Sequence, residues 1–372
     1  MNKLVLRRFA LLAIGAASLA WGNSDVYERR SDGSLWEWVG TPCNGNVCSG
    51  WVEVDSGNNT LYAVAGGGAL YQMRNDFSIW AYVGPACTPP SQGLLCKGWL
   101  ELDNSTNTTG IFAGTGVAAK NFQNSVYKVD TAGRVWMYNG QPCFTDVYGH
   151  HCPGWTDTTT TYPSPNGNTL YLSASQNGSS ISNLFWTDSI SGQRVSKQYC
   201  YPADNFCAGE LLDNTPNLSA PGQQTTQTVV PGLTDVFELR TGGGIWKFTG
   251  AECQFMFPTN SCPGWQQIDG NPATSMIVAN TQLYQLHTTH SIWQSTGQPC
   301  NASGCPGWTM LDNNPSTTTI SAGFQTVYQQ HTTGSIWQYT FKPCNATGCP
   351  GWQMIDDKPG SHLIINGAGY AR

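Results

Sequence analysis

The sequence predicts an all-β fold: one closed, seven-bladed β-propeller of four-stranded blades, with a C-terminal strand that completes the first blade. Three observations predict it. A unit of about 45 residues with four short apolar-polar runs recurs along the chain, which is the period and strand count of a propeller blade. The 14 cysteines fall into local pairs, one pair in each unit. The chain also ends in an apolar run that the first unit lacks.

The last full unit shows the pattern best. Val327–His331 alternates apolar and polar residues, a glycine-containing turn follows, and Ser335–Tyr339 alternates again. Two alternating runs joined by such a turn are typical of a β-hairpin. A loop bounded by cysteines, Cys344–Cys349, leads through Pro-Gly to a third run that begins at Trp352. The upstream run Thr318–Gly323 supplies the fourth, innermost strand.

The two ends of the chain predict how the ring closes. The first unit begins at Val26, in the second strand of the pattern, and His362–Gly369 is an innermost strand with no blade after it. Joining the two completes a blade and removes two open sheet edges. The fourth unit departs from the pattern, because Val195 and Glu210 stand where tryptophans are expected.

The N-terminal stretch predicts export. Lys3, Arg7 and Arg8 precede a short apolar run and a small-residue cleavage site, so residues 1–22 are interpreted as a secretory signal peptide. That run is too short for a membrane span, and no later run approaches about 18 apolar residues. We therefore expect residues 23–372 to form a single domain of a secreted, extracellular protein.

The cysteines are expected to form one disulfide in every blade. An oxidising compartment permits such bonds, and each would hold the loop between the third and fourth strands. Zinc is the alternative, but the pairs do not form the CxxC doublets of a zinc site, so no metal is expected. The expected pairs are Cys43–Cys48, Cys87–Cys96, Cys143–Cys152, Cys200–Cys207, Cys253–Cys262, Cys300–Cys305 and Cys344–Cys349.

Composition narrows the class of partner. Charged residues make up 11% of the chain, the net charge is −6, and no basic run occurs, so neither nucleic acid nor an anionic membrane is an expected partner. Asn-x-Ser/Thr triplets are candidate glycan sites in a eukaryotic secretory pathway. They begin at Asn58, Asn104, Asn107, Asn177, Asn217, Asn301 and Asn345.

No motif predicts catalysis. The chain lacks GxSxG, HExxH and an EF-hand loop, so we expect no enzyme activity and no cofactor. His287 and His331 occupy matching positions of the sixth and seventh units and belong to the blade pattern. His150 and His151 lie inside the third cysteine loop, where a metal site is conceivable. Adjacent loop histidines without a carboxylate cluster are more typical of plain surface.

The tryptophans form two recurring sets. The first set lies in the middle of the third strand, where core packing is expected. Its members, the hairpin tryptophans, are Trp36, Trp80, Trp136, Trp246, Trp293 and Trp337. The second set follows a glycine at the exit of each cysteine loop. Its members, the loop-exit tryptophans, are Trp51, Trp99, Trp155, Trp265, Trp308 and Trp352.

The loop-exit tryptophans are the candidate ligand platforms. An indole near a rim, beside Asp and Asn of the following turn, suits the C–H face and the hydroxyls of a sugar. The candidate polar partners are Asp269, Asp312, Asn313 and Asp356. The alternatives are that these indoles only seal neighbouring blades and that the recurring Asp only stabilises its turn.

The order of innermost strand, then LYQLHTTHSIWQSTG (Leu283–Gly297), then a loop and Gly-Trp resembles the blades of tachylectin-2-type and tectonin-type β-propeller lectins. The resemblance implies a non-enzymatic glycan-binding protein with several shallow sites, one per blade or blade junction. By position it adds the second-strand residues Gln285, His287, Gln329 and His331 to the site. The cysteine pair in each blade and the fourth unit depart from that family pattern.

Two functions remain in view. The first is a secreted, multivalent carbohydrate-binding protein whose partners are glycans or glycoconjugates on cell surfaces. The second is a secreted scaffold that binds a protein through one face, for which the Pro-, Thr- and Gln-rich connection 213–235 is the place to look. An enzyme acting on glycans in the central funnel is a weaker third, since the innermost strands carry mostly small residues.

Overall fold

A computed structural model describes residues 26–45, 47–66, 69–84, 98–114, 126–158, 169–177, 181–188, 194–201, 206–213, 226–232, 235–251, 253–256, 259–323 and 326–365. Only the backbone is described for those residues that fall within 169–211, 254–256, 259–261 and 363–365. The predicted signal peptide, the pair Cys87–Cys96 and most of the connection 213–235 lie outside the described residues.

The chain forms antiparallel four-stranded sheets in sequence order. Blade 1 contains β1 (Val26–Arg29), β2 (Leu35–Trp38), β3 (Trp51–Asp55) and the last strand of the chain, β32 (His362–Ile365). Blade 2 contains β4 (Thr60–Gly66), β5 (Ala69–Arg74), β6 (Ile79–Tyr82) and β7 (Trp99–Asp103). Blade 3 contains β8 (Thr108–Ala113), β9 (Val126–Asp130), β10 (Val135–Tyr138) and β13 (Trp155–Asp157), with a small hairpin of β11 (Phe144–Asp146) and β12 (Gly149–His151) before its last strand.

The second half of the chain continues in the same way. A divergent sheet contains β14 (Thr169–Asn177), β15 (Ile181–Asp188), β16 (Arg194–Tyr201) and β17 (Phe206–Asp213). Blade 5 contains β18 (Thr226–Pro231), β19 (Val236–Arg240), β20 (Ile245–Phe248) and β23 (Trp265–Asp269), with a hairpin of β21 (Gln254–Met256) and β22 (Thr259–Ser261). Blade 6 contains β24 (Thr274–Ala279), β25 (Leu283–His287), β26 (Ile292–Ser295) and β27 (Trp308–Asp312), and blade 7 contains β28 (Thr317–Ala322), β29 (Val327–His331), β30 (Ile336–Tyr339) and β31 (Trp352–Asp356).

The sheets are arranged in a closed ring. The innermost strand of each sheet neighbours the innermost strand of the next, and β28 of blade 7 is followed by β32 and then by β4. β32 pairs antiparallel with β1, with Ile364 opposite Tyr27. The two ends of the chain therefore meet in one blade, and that blade has no missing inner strand.

The predicted fold class, a seven-bladed propeller with one disulfide in every blade, is wrong in two respects. Six of the sheets are regular blades of the repeat, and the sheet β14–β17 is not a copy of them: its strands have eight or nine residues, against three to seven elsewhere. The described residues contain five disulfides, in blades 1, 3, 5, 6 and 7. Cys200 and Cys207 face each other across β16 and β17, where side chains are not described.

The register of the divergent sheet also corrects which residues replace its tryptophans. Asp213 pairs with Val195, as Asp312 pairs with Ile292 in blade 6. A register shift follows in both blades, and it places Ser196 opposite Leu211. Ser196 and Gly209 therefore occupy the two tryptophan positions, where the sequence alone suggested Val195 and Glu210. The two positions are 13 residues apart here and 15 apart in blade 6, because the connection between the paired strands is two residues shorter. Counting with the usual spacing therefore displaced each position by one residue.

The core lies between the blades. The second strand of each of the six regular blades contains a buried aromatic side chain near its start. The residue before the last aspartate is a buried aliphatic one in every sheet except blade 3, where it is Thr156. The first group contains Tyr27, Tyr71, Tyr127, Phe237, Tyr284 and Tyr328, and the second contains Val54, Leu102, Leu212, Ile268, Leu311 and Ile355. Burying such side chains is the main source of stability, since each contributes about 1.5–3 kcal/mol.

The glycine before each loop-exit tryptophan has a steric cause. A Cβ on Gly351 would lie 2.0 Å from the carbonyl oxygen of Lys342, and one on Gly264 would lie 1.9 Å from that of Ala251. The exit turn and the strand that follows therefore approach each other more closely than any side chain allows. This approach fixes where the following tryptophan leaves the loop.

Candidate functional site

Each regular blade junction sets an aspartate of one blade against the second strand of the next. At the junction of blades 2 and 3, Lys128 Nζ lies 2.5 Å from Asp103 Oδ2. At the junction of blades 1 and 2, Arg74 Nη2 lies 3.8 Å from Asp55 Oδ2. With the hairpin tryptophan of the second blade, these residues form what we call a junction set. Six junction sets begin with Asp55, Asp103, Asp213, Asp269, Asp312 and Asp356.

The floor of each junction set is a buried polar residue in the middle of the second strand. Gln72, Glu238, Gln285 and Gln329 are each at most 1% exposed. A threonine from the innermost strand orients this residue, as Thr274 Oγ1 donates to Gln285 Oε1 at 2.7 Å. The corresponding bonds are Thr60 to Gln72, Thr226 to Glu238 and Thr317 to Gln329. A fixed polar floor is thus repeated around the ring.

The recurring aspartate has two uses. Asp269 Oδ1 accepts the backbone N–H groups of Gly270 and Asn271 at 2.9 and 3.3 Å, which stabilises the turn after the strand. Asp269 Oδ2 has no hydrogen-bond partner and is buried. The turn-stabilising role expected from the sequence therefore employs one oxygen, and a second oxygen remains for the junction.

The hairpin tryptophans are half-buried, and Trp36, Trp80 and Trp246 pack against the core as the sequence predicted. Trp293 Nε1 donates to Ser291 Oγ and Trp337 Nε1 donates to Ser335 Oγ, both at 3.0 Å. The N–H groups of these two indoles are thus satisfied at the turns of their own hairpins.

Four junction sets contain a cation that covers the indole. The guanidinium of Arg30 lies 3.6 Å from the ring centroid of Trp36, and that of Arg240 lies 4.2 Å from the ring of Trp246. The same cations pair with the acidic residues of their sets, as Arg240 Nη2 does with Asp213 Oδ2 at 3.1 Å. Some atoms of these sets still have no partner, among them Glu28 Oε2, Gln72 Nε2 and Arg74 Nε. The cation nevertheless occupies the space over the indole and pairs with a carboxylate, which distinguishes these sets from the other two.

Two junction sets contain a histidine in place of the cation. His287 stacks on Trp293 with ring centroids 5.7 Å apart, and His331 stacks on Trp337 at 5.4 Å. Burial lowers the pKa of both imidazoles, against the opposing charges of Asp269 and Asp312, so both rings are neutral at pH 7. The Nε2 atoms of both histidines have no partner. These sets therefore keep unsatisfied polar atoms beside an aromatic ring.

The loop-exit tryptophans lie between blades. Trp99 Nε1 donates to the carbonyl oxygen of Val54 in blade 1 at 3.0 Å, and Trp51 Nε1 donates to that of Ile355 in blade 7 at 2.7 Å. Trp155, Trp265, Trp308 and Trp352 make the same bond to the blade before them. These contacts favour the interpretation that the set seals neighbouring blades. A direct role in sugar binding stays a prediction.

The structure brings most of the predicted polar site residues together, but each group is formed by residues of two neighbouring blades. Asp269, Gln285 and His287 meet at the junction of blades 5 and 6. Asp312, Gln329 and His331 meet at the next junction, and Asp356 lies beside Glu28 of blade 1.

Trp308 and Asp312 were expected to act together within one blade, but in the structure they lie at different blade junctions. Trp308 reaches back to Ile268 of blade 5, whereas Trp352 of blade 7 bonds Leu311, the residue before Asp312. Asn313 is exposed, and its Oδ1 lies 3.6 Å from Cys349 Sγ. The sequence analysis did not place the hairpin tryptophans at the junctions. The residue before the hairpin turn, an arginine in blades 1, 2 and 5 and a histidine in blades 6 and 7, was a readable signal.

The two loop histidines occupy separate sides of the β11–β12 hairpin. His150 Nε2 lies 3.0 Å from Glu101 Oε2, and His151 Nε2 lies 3.2 Å from Asp146 Oδ1. The sulfur atoms near His150 belong to the disulfide Cys143–Cys152 and are not thiolate ligands. This part of the chain thus has two His–carboxylate pairs at the surface.

Comparisons with known proteins find similar solved structures but no family. No protein-family model and no curated protein matches the chain. Solved structures match over most of its length. Prp20p from Saccharomyces cerevisiae, which binds Gsp1p and histones, is 11% identical, and the match covers 90% of this chain and 85% of Prp20p with a TM-score of 0.49. Human WBSCR16 is also 11% identical, and the match covers 91% of this chain and 94% of WBSCR16 with a TM-score of 0.47. A six-bladed fucose-binding lectin from Aleuria aurantia matches at 13% identity over 83% and 96%, with a TM-score of 0.33.

These distant similarities carry no argument about ligands. Within the part of the chain that the structure describes, no helix is long and apolar enough to cross a membrane. The five disulfides fit an oxidising compartment.

Proposed function

We propose that this protein is a secreted, multivalent carbohydrate-binding protein that acts without catalysis and binds glycans at its blade junctions. The observation that supports the proposal is the repeated junction set: a half-buried indole beside a buried aspartate and a buried amide or imidazole. The resemblance of the blade sequence to tachylectin-2-type and tectonin-type lectins points in the same direction.

The chemistry of a junction set matches that of a sugar. The C–H face of a pyranose packs on an indole, while its hydroxyl groups need both donors and acceptors within reach. Asp312 Oδ2 offers an acceptor, His331 Nε2 offers a donor or an acceptor, and Trp337 offers the apolar face. A neutral polyol is the ligand class that uses all three.

Repetition adds avidity. One shallow site in a junction gives weak binding, but several sites on one rigid ring engage a glycan-coated surface at the same time. Linked weak sites gain about 10²–10⁴ in apparent affinity without any new contact, provided that the spacing allows simultaneous engagement. The proposed targets are therefore glycoconjugates on surfaces and not free sugars.

Substituting Trp293 and Trp337 together by Ala tests the assignment. We expect the double variant to lose at least about tenfold in affinity for a glycan ligand, because each site loses its apolar platform. Isothermal titration with the monosaccharide measures this loss. Trp38→Ala is the matched control, since Trp38 is half-buried in blade 1 but bonds Thr41 of its own exit turn. Unchanged affinity in the double variant, with the fold intact, would assign sugar binding to other residues.

The second candidate, a scaffold that binds a protein partner, is favoured by exposed apolar side chains, of which only Val39 and Val83 occupy matching positions in two blades. They lie in the exit turns and disulfide loops of blades 7, 1, 2 and 3. The members are Phe341, Val39, Val47, Val83, Phe144, Val147 and Tyr148. The last two are 92% and 87% exposed, at the tip of the β11–β12 hairpin. The sequence had pointed to residues 213–235 instead.

The two candidates predict different effects of changing that tip. If the scaffold function applies, Val147→Ser combined with Tyr148→Ser removes capture of a protein partner from the secreted milieu and leaves thermal stability unchanged. If the carbohydrate function applies alone, the same variant binds glycans as the natural protein does. Affinity capture with each variant, followed by a glycan-binding assay on the same samples, separates the two results.

A further inference from the structure

We propose that the ring holds two open ligand sites, at the junctions of blades 5 and 6 and of blades 6 and 7, and that these sites select neutral, hydroxyl-bearing sugars over acidic ones. The inference rests on the proposed function and refines it. It replaces one equivalent site per junction by two, and it names the class of sugar.

The first step is the difference between the two kinds of junction set. In the cationic sets an arginine at the end of the second strand or just after it, or a lysine in its middle, lies over an aromatic ring and pairs with a carboxylate. The pairs are Arg30–Glu28, Arg74–Asp55, Lys128–Asp103 and Arg240–Asp213. In the histidine sets no such ion pair is present among the described residues, because His287 and His331 take the position of the cation.

The second step concerns the buried polar atoms of the histidine sets that have no hydrogen-bond partner. Asp269 Oδ2 and His287 Nε2 have no partner, and neither have Asp312 Oδ2 and His331 Nε2. All four side chains are at least nine-tenths buried, with exposures of 5% and 7% in the first junction and 5% and 9% in the second. Buried polar groups without partners are costly, so a bound group that pairs with both is stabilised there. The same two atoms, one on the aspartate and one on the histidine, thus lack a hydrogen-bond partner at two consecutive junctions.

The third step is the chemistry that fits both atoms. A carboxylate oxygen requires a donor, and a neutral imidazole offers one donor or one acceptor at Nε2. A hydroxyl group donates and accepts at once, so one hydroxyl, or two adjacent ones on a sugar, satisfies the pair. The adjoining rings of Trp293 and Trp337 accept the C–H face of the same sugar.

The fourth step is the selectivity. Among the described residues, neither Asp269 nor Asp312 pairs with a lysine or an arginine, and the negative charge of each acts on the histidine of its junction. Burial raises the pKa of Asp312, which shows that this place disfavours negative charge. A sialylated, sulfated or uronic acid ligand brings a second negative charge into the same buried place, which is unfavourable. A neutral hexose or N-acetylhexosamine brings no charge and avoids this repulsion.

The chain supplies its own control substitutions. His331→Arg copies the residue that stands at that position in blade 1 and in blade 5, and it is expected to close the junction of blades 6 and 7 without disturbing the fold. Arg74→His makes the opposite change in blade 2, where Gln72, Asp55, Thr60 and Trp80 already match the histidine sets. That variant is expected to open a third site.

The experiment is a titration calorimetry series with the neutral monosaccharide that binds best on a glycan array. We expect two ligand molecules per chain for the natural protein, one for His331→Arg, none for His287→Arg with His331→Arg, and three for Arg74→His. Acidic sugars are expected to bind at least about tenfold more weakly. A stoichiometry of six, or two sites unchanged in the double arginine variant, overturns the two-site assignment and leaves carbohydrate binding standing.

Two further outcomes are decisive. Binding that is lost in EDTA and restored by Zn²⁺ would assign the unpaired His and Asp atoms to a metal ion and overturn the inference. Preferential binding of acidic sugars would overturn the selectivity. Failure of every sugar to bind would instead contradict the proposed function itself.

Discussion

The protein is expected to become less stable as the pH rises from about 4.5 to about 8, and replacing Glu28 and Glu238 by Gln is expected to remove most of that dependence. Burial, together with the charges of nearby Asp356 and Asp213, raises the pKa of Glu28 and of Glu238 to about 8 against the opposing charges of Arg30 and Arg240. Each site sets two carboxylates against one guanidinium, so one proton is retained on folding.

The sign of the effect follows from proton binding. A carboxyl group with a raised pKa in the folded state binds its proton more tightly there than in the unfolded state. Its contribution is therefore full below the unfolded pKa and is lost as the pH rises toward the folded pKa. The free energy of unfolding falls by about 1.4 kcal/mol per pH unit for each such group. Two groups make the summed effect several kcal/mol.

The natural chain indicates that Gln is tolerated at these positions. Gln72, Gln285 and Gln329 occupy the same place in blades 2, 6 and 7 and are buried there. Urea unfolding at a series of pH values measures the effect on the double variant, with Glu53→Gln as a control on a partly exposed carboxylate. We expect the double variant to be more stable than the natural protein at pH 8 and similar to it at pH 4.5. An unchanged slope would contradict this account of the junctions.

Replacing Trp99 by Ala is expected to destabilise the protein by about 3–5 kcal/mol, the usual cost of removing a large buried aromatic side chain. Trp99 is 9% exposed, packs on Tyr82 at 5.4 Å between centroids, and bonds the carbonyl oxygen of Val54 in the preceding blade. The change leaves a cavity at a blade junction and removes the hydrogen bond to the Val54 carbonyl oxygen.

A matched comparison shows whether sealing is the main role of the loop-exit tryptophans. Trp38→Ala removes the same side chain from a half-buried place, so we expect a much smaller loss of stability. Equilibrium urea unfolding of both variants measures the difference. Equal losses, or a loss below about 1 kcal/mol for Trp99→Ala, would mean that these indoles do not seal the blades.

Much of the architecture could be predicted because it repeats. The alternation of Val327–His331, the turn glycine and the cysteine pair recur together, and they place the strands of six blades and five disulfides in the described residues. The unpaired run at the C-terminus predicted the strand that closes blade 1. Local periodicity decides such features, so a single sequence contains them.

The errors arise where the structure depends on contacts between blades or on the length of one connection. The connection between β16 and β17 is two residues shorter than its counterpart in blade 6, so the usual spacing displaced the replaced tryptophan positions by one. The loop-exit indoles bond the preceding blade, a contact between residues 40 or more positions apart, as in Trp308 with Ile268. The division into cationic and histidine junctions likewise requires knowing which aspartate faces which second strand.

A glycan-array screen of the oxidised protein tests the central claim most directly. We expect reproducible binding to a class of neutral sugars, lost when the same free sugar competes and weakened in the Trp293→Ala, Trp337→Ala double variant. Silence across a broad array, from protein shown to be folded by its cooperative unfolding, would contradict carbohydrate binding and favour a protein partner at the exposed apolar loops.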